Sequence, residues 1–545
     1  MNRRIAIAAA LAAMVSGVKA FEVGEASSME AVRPKIPRRI DPAQSFSVRL
    51  ARGEYESFQL LVRSDSDMKG LRVEAFGGEA ADWVECSPVG YVKLVNKPEY
   101  FDKLEGNPTL GWWPNLILDF LDSADVPAGD VMSFWIRVHC PRETAAGEYG
   151  AVLRVSADGE EAREFPLAVR VNGFEMPAVA PLPMAVTFSP GSHQILPGHY
   201  SNPLKSELDA MKERNEDPDG PVKLWERHRA EWGDFLADYF ITPDSLYLDG
   251  ENPPHFDMLE RVRDQGRINR FNLNYWSYPK SLSDEDVQSW RERVVGQSRK
   301  AYERAKELGI ADRAYLYGCD ETTEEKFPLI AKAIEILKEE FPGVPLLTTA
   351  LDNSYGAGSA LAGIDAFCPR TDHYDAVRAD DARSRGKKVW WYICCYPLPP
   401  YANMFIESRP IEGRLLMGAM SVKYRPDGFL YYEISVWNSR RPVTSGPYTD
   451  WEPRSWSLFS NGDGAWTAAG PDGIPVATQR LENFRDGIED FAYAKIYEEK
   501  FGVLPEVSQE LVGSLVEYSV DPAVLRAWRD SVADAIESGG SVTAK

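Results

Sequence analysis

The sequence predicts a multidomain protein in which an N-terminal all-β sandwich precedes a (β/α)8 TIM-type barrel with C-terminal helices. Two observations support this prediction. Residues 21–175 contain short runs of alternating apolar and polar residues separated by Gly, Pro and Asp, which is typical of a sandwich. From residue 181 onward, apolar strand-like runs alternate with amphipathic helical runs over roughly 255 residues, the usual length of a barrel.

The sandwich prediction depends on period-2 apolarity. Residues 58–62, 134–138 and 151–155 alternate in this way, and such alternation is expected of strands with one buried face. Residues 172–185 contain three prolines and few charges, as expected of a short, stiff linker. We therefore assign residues 21–175 to the sandwich domain.

The barrel prediction depends on the order of the later segments. Helical runs separate most of eight predicted strands, at 184–189, 245–248, 269–275, 313–319, 344–349, 364–368, 389–395 and 428–434. An open, doubly wound sheet is the alternative, but no glycine-rich phosphate fingerprint follows any of these strands. We assign 181–470 to the barrel and 471–545 to a C-terminal helical region, with helices at 479–501 and 505–538 packed on the barrel.

The N-terminus resembles a secretory signal. Arg3 and Arg4 precede an apolar run at 5–17, and Val18 and Ala20 place small residues at the −3 and −1 positions of a cleavage site. We predict that residues 1–20 form a signal peptide cleaved near Ala20, and that the protein is secreted or periplasmic. No later segment is apolar enough to predict a membrane span.

Charge and ligand spacing restrict the partners. The net charge of −22 becomes −25 when three basic residues leave with the signal peptide, and such a field repels nucleic acid and anionic lipid. Six cysteines are too few for a disulfide scaffold in a chain of this size. The six histidines show no metal-ligand spacing, so we predict neither a metal site nor a cofactor.

Asp320 and Glu321 are the candidate catalytic residues. They directly follow the fourth predicted strand, and functional groups of barrels gather at the C-terminal ends of strands. The identical pair Asp284 and Glu285 begins a predicted helix, where acidic residues favour the helix dipole. Position therefore distinguishes the two pairs, although capping of the strand-to-helix turn is a second interpretation of Asp320 and Glu321.

Adjacent carboxylates suit the hydrolysis of a 2-acetamido sugar. The carbonyl oxygen of the sugar's own acetamido group can attack the anomeric carbon, so the enzyme needs one carboxylate to orient the amide and one acid to protonate the leaving group. The seventh predicted strand contains no carboxylate. Glu433 in the eighth is the alternative nucleophile, for a double-displacement glycosidase. A non-catalytic carbohydrate-binding protein on a barrel scaffold is a third hypothesis.

Several sequence blocks resemble glycoside hydrolase family 123. They are ARGEYESFQLLV at 51–62, PRETAAGEYGAVLRV at 141–155, YGCDE at 317–321, VWWYICCYPLPPYANMFIESRPIEGRLL at 389–416, DGFLYYEISVWN at 427–438, SNGDG at 460–464 and RLENFRDGIEDFAY at 480–493. The resemblance implies a sandwich followed by a barrel, and a retaining exo-β-N-acetylgalactosaminidase that acts through an oxazoline-type intermediate. It also implies that Asp320 orients the acetamido group and that Glu321 is the general acid and then the base.

Six further residues are candidates for binding a glycan substrate. They lie at or near predicted strand ends and have polar or aromatic side chains: Asn274, Tyr317, His373, Trp391, Tyr392 and Trp437. Because neighbouring strand residues point to opposite faces, only one of Trp390 and Trp391 can point into the barrel. Core packing or turn formation is the alternative role for each of these residues.

Overall fold

The computed structural model describes residues 21–540 except 105, 107, 191–212, 214–223, 251, 438–440 and 455–459. The predicted signal peptide at 1–20 lies outside the described residues. An all-β region is followed by parallel strands with intervening helices and then by two C-terminal helices. In the described part of the chain, no helix is long and apolar enough to cross a membrane.

The N-terminal region contains two five-stranded sheets, which confirms the all-β prediction. The strand orders are β1-β3-β8-β5-β6 and β2-β10-β9-β4-β7. The strands are β1 (Glu22–Ser27), β2 (Phe46–Arg52), β3 (Tyr55–Arg63), β4 (Met68–Phe76), β5 (Val84–Leu94), β6 (Gly111–Ile117), β7 (Ala124–Val126), β8 (Val131–His139), β9 (Gly147–Ser156) and β10 (Arg163–Glu175).

Aromatic side chains join these two sheets. Phe46 of β2 stacks on Phe58 of β3, with ring centroids 5.2 Å apart. Within the second of these sheets, Phe165 of β10 meets Phe46 edge-on at 5.8 Å and extends the aromatic contact. Alternation places every second side chain of β10 in this interior, so the two sheets bury one apolar core between them.

The second region contains two parallel sheets, of five and three strands. Their orders are β12-β13-β14-β15-β16 and β11-β18-β17. The strands are β11 (Met184–Val186), β12 (Phe271–Trp276), β13 (Ala314–Gly318), β14 (Leu346–Thr348), β15 (Ala366–Phe367), β16 (Lys388–Val389), β17 (Trp391–Ile393) and β18 (Phe429–Tyr431). Residues 388–393 supply a strand to each sheet and so connect them.

Helices separate most of these strands. They are α1 (Arg229–Asp238), α2 (Phe256–Asp264), α3 (Asp284–Glu307), α4 (Phe327–Glu340), α5 (Ala376–Ser384), α6 (Ile411–Leu415) and α7 (Ser421–Tyr424), and a π-helical turn joins the last two. A further antiparallel pair, β19 (Thr467–Ala469) and β20 (Pro475–Ala477), follows β18.

The predicted strand at 245–248 is wrong. Asp244 makes only an isolated bridge to Thr187, and side chains take over the bonding toward β12. Asp244 Oδ1 accepts a hydrogen bond from the Asn272 backbone at 2.8 Å. The Asn272 side-chain amide donates to the carbonyls of Ser245 and Leu246 at 3.1 and 3.0 Å. These bonds satisfy the buried backbone groups that a strand ladder would otherwise satisfy.

A separate apolar cluster lies on the sheet face turned away from the helices. Its members come from the segments of both parallel sheets: Ala185, Leu246, Tyr315, Tyr317, Leu347, Ala366, Cys368, Trp390, Tyr392 and Leu430. Their strand neighbours, such as Leu316 and Trp391, belong to the larger core instead. Strand alternation therefore separates an inner cluster, which leads toward Asp320, from an outer layer under the helices.

The C-terminal helices are α8 (Gln479–Phe501) and α9 (Pro522–Ser538). The prediction that 505–538 is helical throughout is wrong for 505–521, where a Val512–Tyr518 bridge closes a turn. Pro505 and Gly513 disfavour a continuous helix there. Gly487 of α8 is a close-approach position, because a Cβ on it would lie 2.6 Å from the carbonyl oxygen of Arg414.

A buried charge network joins α8 to the all-β region. The Arg414 side chain is 1% exposed, and its guanidinium lies within 3.4 Å of three carboxylates, those of Glu56, Asp486 and Asp490. Further members of the network include Glu54, Arg137, Glu482, Arg485, Glu489 and Arg529. Because each charged side chain has partners of opposite sign, these charges can be buried at the interface.

Candidate active site

The turn after β13 presents two adjacent carboxylates. The side chains of Asp320 and Glu321 are exposed, and the turn that carries them has an unusual backbone. Cys319 and Glu321 have φ angles of +57° and +44°, in the left-handed region that non-glycine residues rarely occupy. Gly318 allows β12 to approach closely, since a Cβ there would lie 1.9 Å from the Trp276 carbonyl oxygen. Such local strain is a feature of functional turns.

Asp320 is held by neutral hydroxyl groups. Its Oδ1 accepts hydrogen bonds from Tyr317 Oη and Thr349 Oγ1, each at 2.7 Å. Its Oδ2 accepts one from Tyr247 Oη at 3.2 Å. The Asp320 amide donates to Tyr275 Oη at 3.2 Å. These bonds fix the carboxylate without neutralising its charge.

Glu321 is held from the opposite direction. Tyr392 Oη donates to Glu321 Oε1 at 2.6 Å, and the Glu321 amide donates to Thr349 Oγ1 at 3.2 Å. Thr349 therefore contacts both members of the pair and couples their positions. Among the described residues, neither carboxylate forms an ion pair with Lys, Arg or His.

The supporting tyrosines remain hydrogen-bond donors. Burial raises the pKa of Tyr317 well above its usual value, and the nearby Tyr247 and Asp320 raise it further. Burial, together with the hydrogen bond to Glu321, likewise raises the pKa of Tyr392. Burial raises the pKa of Tyr275 to about 12. All three phenols are consequently protonated at any physiological pH.

A cavity of about 210 Å³ adjoins Glu321. Polar groups from the ends of β14, β15 and β17 line it, including Thr349, Asp352, Asn353, Arg370, His373 and Tyr392. Asp352 organises its own loop, because both of its carboxylate oxygens accept hydrogen bonds from residues 354–359. Arg370 pairs with Asp372 at 2.7 Å, and one of its guanidinium nitrogens lies 3.2 Å from His373 Nε2.

The structure brings several of the residues predicted from the sequence together. Tyr317 contacts Asp320, Tyr392 contacts Glu321, and His373 lines the same cavity as Glu321. Tyr317 and Tyr392 belong to the inner cluster, so alternation along β13 and β17 aims both phenols toward the carboxylates.

The structure places three predicted substrate-binding residues elsewhere. Asn274 is buried and its amide donates to Ser298 Oγ of α3 at 3.2 Å. Trp391 has no exposed surface and packs against Tyr374 with ring centroids 5.4 Å apart. Trp437 is buried, and its indole N–H donates to the Thr467 carbonyl at 3.0 Å. Each of these side chains is buried in the protein interior, so none of them is positioned to contact a sugar.

Sequence reasoning missed three residues of the site. Thr349, Tyr247 and Tyr275 surround Asp320, yet the sequence pattern did not identify them as site residues. Alternation offered a signal for Tyr275, because Asn274 and Tyr275 must point to opposite faces of β12. Thr349 carried a weaker signal as a polar residue directly after an apolar strand.

The position of Glu433 does not suit a catalytic nucleophile. Its side chain has no exposed surface, and its Oε1 accepts hydrogen bonds from the Ile434 amide, the Ser435 amide and Ser435 Oγ at 2.8, 2.8 and 2.6 Å. This carboxylate organises the turn after β18. The described residues also include no group of three or more side chains arranged to hold a metal ion.

Two adjacent carboxylates, set at the carboxyl end of a parallel strand beside a cavity, define a candidate hydrolase that works by acid and base catalysis. Comparison with known families specifies the class. Residues 271–497 match the model of the glycoside hydrolase 123 catalytic domain. This match confirms the resemblance seen in the sequence, and the chain is a glycosidase.

Solved structures extend the comparison to the whole fold. A family 123 glycoside hydrolase from Clostridium perfringens, analysed for glycolipid glycan hydrolysis, aligns over 96% of this chain and 97% of its own, with a TM-score of 0.62 and 14% sequence identity. A family 39 glycoside hydrolase from Bacteroides cellulosilyticus aligns over 82% of each chain with a TM-score of only 0.33 and 11% identity. A search of curated protein sequences gave no match.

Proposed function

We propose that this glycosidase removes terminal β-linked N-acetylgalactosamine, or a related 2-acetamido sugar, by substrate-assisted catalysis. The observation that carries the proposal is the adjacency of Asp320 and Glu321, each fixed by its own set of neutral hydroxyl donors. Two positioned carboxylates, one for the amide and one for the leaving group, are what this reaction needs from the protein.

In the first step, Asp320 accepts a hydrogen bond from the substrate amide N–H and turns the carbonyl oxygen toward the anomeric carbon. Glu321 donates its proton to the glycosidic oxygen as the C–O bond breaks, and an oxazolinium intermediate forms. Tyr392 donates to Glu321 Oε1, so the transferable proton belongs on Oε2. In the second step, Glu321 takes a proton from water. The water attacks the anomeric carbon on the face from which the leaving group departed, and the result is net retention.

The burial of Glu433 disfavours the double-displacement alternative, since a nucleophile must reach the anomeric carbon. The family assignment disfavours a non-catalytic glycan-binding protein. The inner cluster and the side-chain bonds between Asp244 and Asn272 support our further proposal that the eight predicted segments close into a (β/α)8 barrel, which would place the carboxylate pair at its mouth.

A panel of aryl β-glycosides tests the reaction. The N-acetylgalactosaminide, the N-acetylglucosaminide and the plain galactoside differ only in the 4-hydroxyl or the 2-substituent. We expect the galactoside, which lacks the internal nucleophile, to react at least about 100-fold more slowly than the N-acetylgalactosaminide. Equal kcat/KM values for these two would contradict substrate assistance.

We also propose that the protein is exported, on the strength of the basic, apolar and small-residue sections of residues 1–20. N-terminal sequencing of protein recovered from the culture fluid or periplasm should begin near Phe21. Recovery only from the cytoplasm, with residue 1 retained, would contradict export.

A further inference from the structure

Two adjacent thiols lie next to the active site without a role in the proposed reaction. Cys394 and Cys395 directly follow β17, are partly exposed and are not joined by a disulfide. The other four cysteines of the chain are separated in sequence, so this is its one vicinal pair.

The dithiol lies close to residues on two sides of the proposed active site. Tyr392, which holds Glu321, lies two residues before Cys394 on the same strand exit. Tyr396 donates its amide to Cys394 Sγ at 3.4 Å, and its ring lies 5.2 Å from the guanidinium of Arg370, which lines the cavity beside Glu321. A change at the dithiol is therefore adjacent to groups on two sides of the site.

Local bonds hold the thiol pair in its present geometry. The Cys394 amide donates to the Tyr396 carbonyl at 2.7 Å, and the side chain of Asn403 donates to the Cys394 carbonyl at 3.0 Å. Asn403 is buried and also holds the Pro397 carbonyl at 2.9 Å. Because these bonds fix the 394–396 backbone, altering the 394–395 peptide disturbs the whole turn.

We propose that low-molecular-weight disulfides oxidise Cys394 and Cys395, so that a reversible vicinal disulfide forms between these two residues. This oxidation lowers the activity of the adjacent site. The proposal rests on the proposed function only for its activity readout. Adjacent Cα atoms are about 3.8 Å apart, below the usual disulfide span of about 4.4–6.8 Å. Ring closure must consequently rearrange the peptide, and the strained bond is easily reduced.

The chemistry balances without any further reactant. The Cys395 thiolate attacks one sulfur of the small disulfide, and one small thiol leaves. Cys394 then loses its proton and attacks Cys395 Sγ, which releases the second small thiol. Two cysteines are oxidised and one disulfide is reduced to two thiols. The hydrogen bond from Cys394 lowers the pKa of the Cys395 thiol, although burial and the nearby Asp463 and Glu321 oppose this, and a lowered pKa favours attack at neutral pH.

The test combines peptide mass and activity. The full-length protein is incubated with oxidised glutathione. The mass of the peptide containing residues 394 and 395 is then measured by mass spectrometry before and after treatment with a dithiol reductant. We expect a loss of two hydrogens, about 2 Da, together with a fall in kcat/KM of about 10- to 100-fold, the size expected when catalytic groups shift by a fraction of an ångström to an ångström. The reductant should reverse both changes.

Two variants provide the controls. The double variant Cys394→Ser/Cys395→Ser should resist the oxidant, whereas Cys86→Ser, which alters a partly exposed thiol of the all-β region, should remain sensitive. No mass loss in the wild-type peptide, or a mass loss with unchanged kcat/KM, would overturn the proposal. If the reduced enzyme hydrolyses no 2-acetamido glycoside, the proposed function fails, while the peptide mass still decides whether the disulfide forms.

Discussion

The strand-end pair Asp320 and Glu321 and the buried charge network around Arg414 use carboxylates in opposite ways. The pair is exposed and receives hydrogen bonds from neutral hydroxyl groups. The carboxylates of the network are buried and face guanidinium groups. Although burial opposes ionisation of Glu56, Arg414 and Arg529 lower its pKa to about 2.

This difference separates catalysis from cohesion. A buried carboxylate whose pKa guanidinium groups lower, such as that of Glu56, stays ionised at neutral pH and does not exchange a proton there. A carboxylate fixed by neutral donors keeps its position and remains free to bind a substrate or move a proton. We therefore expect substitutions in the pair to affect activity, and substitutions in the network to affect stability.

The largest effect should come from Glu321→Gln. Gln cannot protonate a leaving group, so kcat/KM for an alkyl β-N-acetylgalactosaminide should fall about 100- to 10,000-fold. An activated aryl glycoside needs less protonation and should lose far less. The control is Glu285→Gln, from the identical dipeptide at the start of α3, which should retain activity. Equal losses for both leaving groups would remove Glu321 from the acid role.

Next in size is Arg414→Met, which should lower the free energy of unfolding by about 3–5 kcal/mol, because it leaves buried carboxylates without their counterion. Urea unfolding measures this loss. Arg304→Met breaks an exposed pair with Glu307 and should cost less than about 1 kcal/mol. If Arg414→Met were as stable as wild type, or lost activity per folded molecule, the division of roles would be wrong.

A pH series on Glu482→Gln sharpens the same point. Burial opposes ionisation of Glu482, but Arg137 and Arg485 lower its pKa from 4.5 to about 2. The stabilisation from ionised Glu482 is thus fully present above pH 4.5 and is lost as the pH falls toward 2, because protonation then favours the unfolded chain. We expect the free energy of unfolding of the wild type to exceed that of the variant by about 3 kcal/mol at pH 7. This difference should narrow below pH 4.5. A constant gap would show that charge is not responsible.

The smallest expected effect is that of Thr349→Val. This change removes the hydroxyl shared by Asp320 and Glu321 and should lower kcat about 10- to 100-fold, the value of one or two hydrogen bonds to a charged group. KM and the melting temperature should change little. Thr349→Ser keeps the hydroxyl and should recover most of the rate. Failure of Ser to rescue would assign Thr349 a packing role instead.

Local patterns predicted the longest C-terminal helix well. The helix at 479–501 has its predicted bounds. Thr478 caps its start, because its hydroxyl accepts a hydrogen bond from the Leu481 amide, and Gly502 in the left-handed conformation caps its end. Such caps are short-range chemistry that a sequence displays directly. The candidate catalytic pair was also selected by a local rule, its position after an apolar strand.

The misplaced residues depended on long-range packing. Alternation states that Trp390 and Trp391 point to opposite faces, but it does not say which face is inner. Trp390 joins the inner cluster and Trp391 the outer layer. The predicted strand at 245–248 failed for a related reason, because the side chain of Asn272, distant in sequence, donates to the carbonyls of Ser245 and Leu246 in place of a strand neighbour.

The sequence by itself therefore determined the order of the regions, the position of Asp320 and Glu321, and the family that the surrounding residues resemble. Only the tertiary structure decided what surrounds them. Thr349, Tyr247 and Tyr392 come from three separate segments, and no local pattern records that they meet. Caps and periodicity act within a few residues, whereas a site depends on side chains that folding brings together from distant parts of the chain.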